Sequence, residues 1–259
     1  AGTLTLSATS TYTGVTTLTG GVLSAGTLAN GGTNSSIGAS TNAAANLVFN
    51  GGTLRYTGAT ASTDRNFTLN TGTTGTINVG NGATNLTVSG ASTATTGGLT
   101  KTGAGTLTLG GANLYTGTTT ISAGTLALGS SGSIAGSAIV NLGTSGSQGI
   151  LDVSSKSSFA FGTGQTLSGY GTVNIGAGKA VTINGSLAPG NSPGITTITG
   201  DLVLANAVAV PTTGAITTME LGGNGGVAGT DYDKVVVSGQ VTFGGTLSII
   251  SYLSYNINQ

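Results

Sequence analysis

The chain of 259 residues contains no cysteine, no histidine and no tryptophan, only three prolines, and 5% charged residues. Each shortage removes a class of chemistry. Without Cys or His there is no thiol nucleophile, no ordinary Ser-His-Asp relay and no zinc cluster. Without disulfides, stability must come from elsewhere, and an exported chain of this kind avoids misoxidation. Six basic and six acidic residues are scattered singly and cancel to zero net charge. No basic stripe can neutralise a run of phosphates, so nucleic-acid binding finds no support. No uninterrupted apolar stretch approaches the length of a membrane-spanning helix.

What fills the gap is small and uncharged: 49 glycines, with Thr, Ser and Asn throughout, beside 37% apolar residues. Low charge with that apolar share argues against intrinsic disorder, which couples low hydrophobicity to high net charge. The chain opens on Ala1-Gly2-Thr3, inside a repeat pattern and not in a secretory leader. The expectation is that a leader was removed or that the chain is a piece of something longer.

The sequence repeats itself. Residues 1–23 aligned on 104–126 agree at 13 of 23 positions, including "AGTLTL", "YTG" and "TT". Looser echoes such as "GGVLSAGTLANG", "LVFNGGTLRYTG" and "GTVNIGAGKAVTINGSLAPG" carry four to six alternating residues closed by Gly, Asn or Ser. That alternation is a strand signal. In "GTLTLG", Leu107 and Leu109 point to one side while Thr106 and Thr108 point to the other. No segment shows a helical period with capping signals, so the expected class is all-β.

Short strands, few aromatics and local, directional repetition favour a solenoid over a sandwich or barrel. The expected fold is a right-handed parallel β-helix with inward ladders of Leu, Ile and Val and outward ladders of Thr. At about 20 to 25 residues per coil it should hold roughly 10 to 13 coils. At ~4.8 Å per coil these would extend over roughly 50 to 60 Å. Residues 1–184 are expected as a repeat-built β-helix. Residues 185–259, with "PGNSPG" and "DYDKVVVSG", are expected as a C-terminal module of the same continuous solenoid.

"GGLTKTGAGTLTLGGANLYTGTTTISAGTLALG", residues 97–129, resembles a complete passenger-associated repeat of the bacterial autotransporters, the type V secretion proteins. Residues 1–23 resemble a second copy without its "GLTKTG" start. Residues 51–79 resemble the spacer between such copies, and 185–204 and 230–249 the segments that follow them. The resemblance implies a β-helix exported across the inner membrane of a Gram-negative cell and displayed on, or released from, its surface. The outer-membrane translocation barrel that normally follows has no counterpart in this chain, and both ends look cut from a larger protein.

The carboxylates are Asp64, Asp152, Asp201, Glu220, Asp231 and Asp233. Polysaccharide-cleaving enzymes need acids clustered beside a base or metal. Only Asp231 and Asp233 are close in sequence, with Lys234 alongside; two apart on a strand they would share a side, and a corner with an ion pair is the plainer reading. "GGVAGTDYD" departs from the calcium nonapeptide at Ala228 and Thr230. "NIGAGKAVT" departs from a phosphate loop, with Ala180 where a metal-holding hydroxyl is required. No catalytic residue, cofactor or metal is expected. Asp64 and Arg65 read as a surface loop pair. Tyr12 and Tyr115, at equivalent repeat positions, read as corner covers in preference to sugar platforms.

The functional expectation is a non-catalytic extracellular stalk or adhesive passenger, with a host or surface glycan or protein as partner. The alternative is a subunit that self-associates into filaments by head-to-tail stacking through Leu4, Leu6, Leu247 and Ile249. Weaker readings are a carbohydrate-active enzyme and an ice-binding protein. The latter would need Thr-x-Thr arrays at every coil; "TLT" does occur at 3–5 and 106–108, but such arrays do not recur at every coil.

Overall fold

A computed structural model describes residues 2–190, 193–206, 214–223 and 225–252. Asn191 and Ser192 of "PGNSPG", and residues 253–259 of the closing stretch, lie outside the described residues. The chain forms two compact units, Ala1–Ser137 and Ala138–Gln259. The expected boundary after residue 184 falls inside the second unit, where Ser186–Pro189 stacks on Thr166–Gly169.

In the first unit each coil visits up to three faces. The first face stacks Thr3–Leu6, Val22–Ala25, Thr53–Tyr56, Thr74–Val79, Gly98–Thr102 and Thr119–Ile121, all parallel. The second stacks Ala61–Thr63, Asn85–Val88, Thr106–Leu109 and Gly124–Leu128. The third stacks Thr16–Leu18, Leu47–Phe49 and Thr68–Leu69. Parallel pairing of sequence neighbours through three-sided coils is the expected right-handed β-helix.

The register follows the alternation. Leu86, Leu107 and Leu126 lie in line on the second face, and Val88, Leu109 and Leu128 form the next column. All six are buried. Leu18, Phe49 and Leu69 form the corresponding column of the third face, where Phe49 meets Phe67 edge-on with ring centres 6.0 Å apart. A one-residue slip would turn every one of these columns to solvent, so burial fixes the register.

Among the described residues the second unit repeats the plan in five coils. Its first face runs Ile139–Asn141, Thr166–Gly169, Ser186–Pro189, Ile216–Leu221 and Thr246–Ser251. Its second runs Ser147–Asp152, Gly171–Asn174, Ile195–Thr199 and Lys234–Val237, and its third Phe159–Phe161, Ala180–Ile183, Asp201–Leu204 and Val241–Thr242. With six strands on the first face of one unit and five on the other, the coil count falls in the expected range. A tight hairpin departs from the parallel plan, with Gly143–Thr144 antiparallel to Ser147–Gln148.

Coil length varies more than expected. Leu4 stacks on Leu23 and Leu107 on Leu126, each 19 residues on, but Leu23 stacks on Leu54, 31 residues on. The extra length is an excursion between Ala25 and Leu47 that tucks Ser35, Ser36, Ile37 and Ser40 inside. Among the described residues the only helix is the three-residue 3-10 turn Ala44–Asn46, and none is long and apolar enough to cross a membrane.

Candidate functional site

Alternation places two charged side chains, Arg65 and Lys101, on inward positions. Thr63, Arg65, Phe67 and Leu69 alternate into the interior, so the Arg65 guanidinium is carried inside. There Nε donates to Ala29 O at 3.1 Å, Nη1 to Ser40 O at 2.9 Å and Ser40 Oγ at 2.8 Å, and Nη2 to Gly38 O at 2.9 Å and Thr33 O at 3.4 Å. The planar fork thereby ties down the excursion after Ala25. Burial lowers the Arg65 pKa, and the Asp64 charge opposes that shift. Asp64 Oδ1 accepts Gly31 N at 2.7 Å on the same loop. Of the expected surface pair, Arg65 is therefore an interior clamp, while Asp64 stays half-buried at the loop.

Lys101 occupies an inward ladder position between Ile77 and Ile121 and is fully buried. Its Nζ donates to the carbonyls of Thr102 and Gly103 at 2.8 Å and of Ala123 at 3.2 Å. Burial pushes its pKa down to about 8. The bonds join the turn after Thr102 to the turn before Gly124 in the next coil. Gly124 has φ 63°, and a side chain there would strike the backbone of Gly103 and Gly105. The signal was in "GLTKTG", since Lys101 has the parity of Leu99 and "DRNFTL" gives Arg65 the parity of Phe67 and Leu69.

The acidic residues do not assemble a reaction centre. Asp231 and Asp233 lie in a turn before the strand Lys234–Val237, not on a strand. Asp231 Oδ2 accepts Val227 N at 2.8 Å. Asp233 is buried, with Oδ1 accepting Gly194 N at 2.7 Å and Oδ2 accepting Glu220 N at 2.8 Å. Burial raises its pKa, the two N–H bonds pull it back, and the charge of Glu220 adds to the rise. Lys234 is exposed. Asp152 Oδ1 accepts Ser154 N at 2.9 Å, and Asp201 Oδ1 accepts Gln240 N at 2.8 Å. Every Asp thus caps backbone donors at a corner. Among the described residues no group of three or more His, Cys, Asp or Glu could hold a metal.

Outside, Thr53, Thr76, Thr100 and Thr120 form one column over four successive coils. The neighbouring column reads Arg55, Asn78 and Thr102, so paired Thr-x-Thr rows are not maintained. At the coil ends the inward residues stand uncovered. Leu4 is 60% exposed, Leu247 63% and Ile249 57%. Leu6 is half-buried. Behind Leu247 lies a cavity of about 560 Å³ lined by Leu187, Leu202, Leu204, Met219, Val237 and neighbours.

Residues 1–29 and 99–128 match the model of the passenger-associated-transport-repeat. A stretch of 49 residues, 19% of the chain, is 61% identical to the adhesin BmaC autotransporter of Brucella suis biovar 1 (strain 1330). That stretch spans about 1% of the relative's own length. No solved structure matches the chain.

Proposed function

Because the chain carries two passenger-associated-transport repeats, we propose that it serves outside a bacterial cell as a non-catalytic β-helical passenger segment, a stalk that presents adhesive surface. One observation carries this reading: the described charged groups that lie inside are consumed by backbone groups that hold coils together, as Arg65, Lys101 and Asp233 are. The interior is spent on stacking. The outer surface carries columns rich in Thr and Asn with few charges, such as Arg55, and these suit broad contact with glycans or proteins. The adhesin relative supports the same direction. An outer-membrane translocation barrel is the export partner such a repeat implies.

The test is adhesion. Beads coated with the folded chain should be retained on immobilised host-surface glycans or matrix proteins, and beads coated with heat-unfolded chain should not. Equal retention of the two, or cleavage of an acidic polysaccharide by the purified chain, would sink the proposal.

A second reading, self-association through the coil ends, draws support from the exposure of Leu4, Leu247 and Ile249 at positions whose counterparts within each stack are inward.

A further inference from the structure

Charge is placed sparingly in the first unit. Residues 1–137 hold four charged side chains, Arg55, Asp64, Arg65 and Lys101. Three of them are occupied by backbone groups: Arg65 and Lys101 bind carbonyls inside, and Asp64 accepts Gly31 N. Arg55 is different. Alternation in "GTLRYTG" buries Leu54 and Tyr56 and turns Arg55 outward, where it is exposed. Among the described residues its guanidinium has neither a hydrogen-bond nor an ion-pair partner.

Its surroundings are hydroxyls and amides in register. Ser24 lies opposite Arg55 in one adjacent coil and Asn78 in the other, with Thr102 next in the same column. The parallel column of Thr53, Thr76, Thr100 and Thr120 stands about 7 Å away along the strands, and successive coils are ~4.8 Å apart. Asn78 Nδ2 donates to Thr102 Oγ1 at 2.9 Å, which leaves the Thr102 hydroxyl proton to donate outward. Nothing acidic balances Arg55 on this face. Asp64, the one acid of residues 1–137, follows the second-face strand Ala61–Thr63.

We propose that Arg55 and the hydroxyl columns beside it bind an anionic polysaccharide, its carboxylate or sulfate group on the guanidinium and its hydroxyls along Thr76, Asn78, Thr100 and Thr102. The proposal rests on the adhesive reading and gives it a site and a ligand class. Charge complementarity carries it: a planar fork with no acid beside it offers paired N–H groups to two oxygens of one anion. A neutral glycan would leave the fork unused, and a nucleic acid would need a run of cations. A protein partner is served best by pockets for apolar anchors, which these columns of small polar residues do not offer. The polar groups continue over successive coils, so an extended polymer uses more of them than a single sugar. One exposed ion pair is weak, and retention therefore depends on many copies acting together.

The test uses beads coated with the full chain and surfaces of heparin, polygalacturonate or neutral dextran at low salt. The parent should be retained on one or both of the anionic polymers and not on dextran. Retention on heparin alone assigns the anion as sulfate, and on polygalacturonate alone as carboxylate; either supports the site. Arg55→Gln should lower retention by about tenfold or more, the effect of losing a charge-assisted hydrogen bond. Thr100→Val, two coils from Arg55, should lower it by about threefold. Lys234→Gln, which removes an exposed strand cation of the second unit, should be retained like the parent. All three variants should keep the circular dichroism of the parent.

If Arg55→Gln and Lys234→Gln lose retention alike, scattered charge is the cause and the site falls. Equal retention on dextran, or a Thr100→Val chain retained as well as the parent, would also overturn it. If the parent adheres to host-surface glycans or matrix proteins and Arg55→Gln adheres equally, the adhesive reading stands and this site falls. If the parent is retained on no surface at all, both fall.

Discussion

The hydroxyls of Tyr115 and Thr119 lie 2.6 Å apart in the fully buried interior of the second repeat, and Tyr12 and Thr16 reproduce the pair at 2.8 Å in the first. The same sequence relation therefore exists in two settings, because Tyr12 is 41% exposed. Tyr115→Phe should cost about 1 kcal/mol, the usual net worth of a buried hydrogen bond, with Thr119 still held by Ser137 Oγ at 2.9 Å. Tyr12→Phe should stay within about 0.5 kcal/mol of the parent. Denaturant midpoints of the two variants check this; equal losses would mean that exposure does not govern the pair.

Lys101 should give the chain an unusual alkaline response. Its pKa is lowered from 10.5 to about 8 by burial. Between those values the unfolded chain holds a proton that the folded chain has released, so stability rises with pH. The raised pKa values of Tyr56 and Tyr115 act the other way, and only as pH climbs past 10. Moving from about pH 7.5 to about pH 9.5 should therefore add on the order of 2 kcal/mol in urea unfolding. Lys101→Met should flatten the response; an unchanged pH slope in that variant would remove Lys101 as its source.

Arg65→Lys should loosen the excursion that the guanidinium holds. An ammonium cannot span the acceptors on Ala29, Thr33, Gly38 and Ser40 that the fork reaches together. A loss of about 3 kcal/mol is expected from the acceptors left unpaired. Amide exchange should quicken first between Ala29 and Asn42, while Leu107 and Leu109, several coils away, keep their protection.

Asp233→Asn keeps the shape and removes one acceptor. Since Gly194 N and Glu220 N each point at a different carboxylate oxygen, the new amide NH₂ must face one of these donors. The expected cost is about 1–3 kcal/mol. Asp231→Asn, whose partner Val227 N is in an exposed bond, should cost less. The order of the two midpoints decides whether burial or mere proximity to the turn sets the cost.

Much of the stacking was legible in the residues. The Leu107/Leu109 alternation gave the strand, its side and its column, and the agreement of residues 1–23 with 104–126 placed Tyr12 and Tyr115 in matching corners. Alternation also held the two interior cations, because Arg65 shares parity with Phe67 and Lys101 with Leu99. What it could not supply was their acceptors. Arg65 reaches Ser40 and Gly38, 25 and 27 residues upstream, and Lys101 reaches Ala123, 22 residues downstream. The same parity would also have put Asp231 and Asp233 together on a strand, but a turn there separates their carboxylates onto different backbone donors.

The sequence by itself determined the period, the class of structure and the poverty of its reactive groups, because those depend on neighbouring residues and on composition. Only the tertiary structure decided which carbonyls take in a buried charge, which of two equivalent tyrosines is covered, and which apolar columns end without a neighbour. Those outcomes depend on coil lengths, which set what lies above each residue. A single excursion, such as the one between Ala25 and Leu47, shifts that stacking with no mark in the alternation.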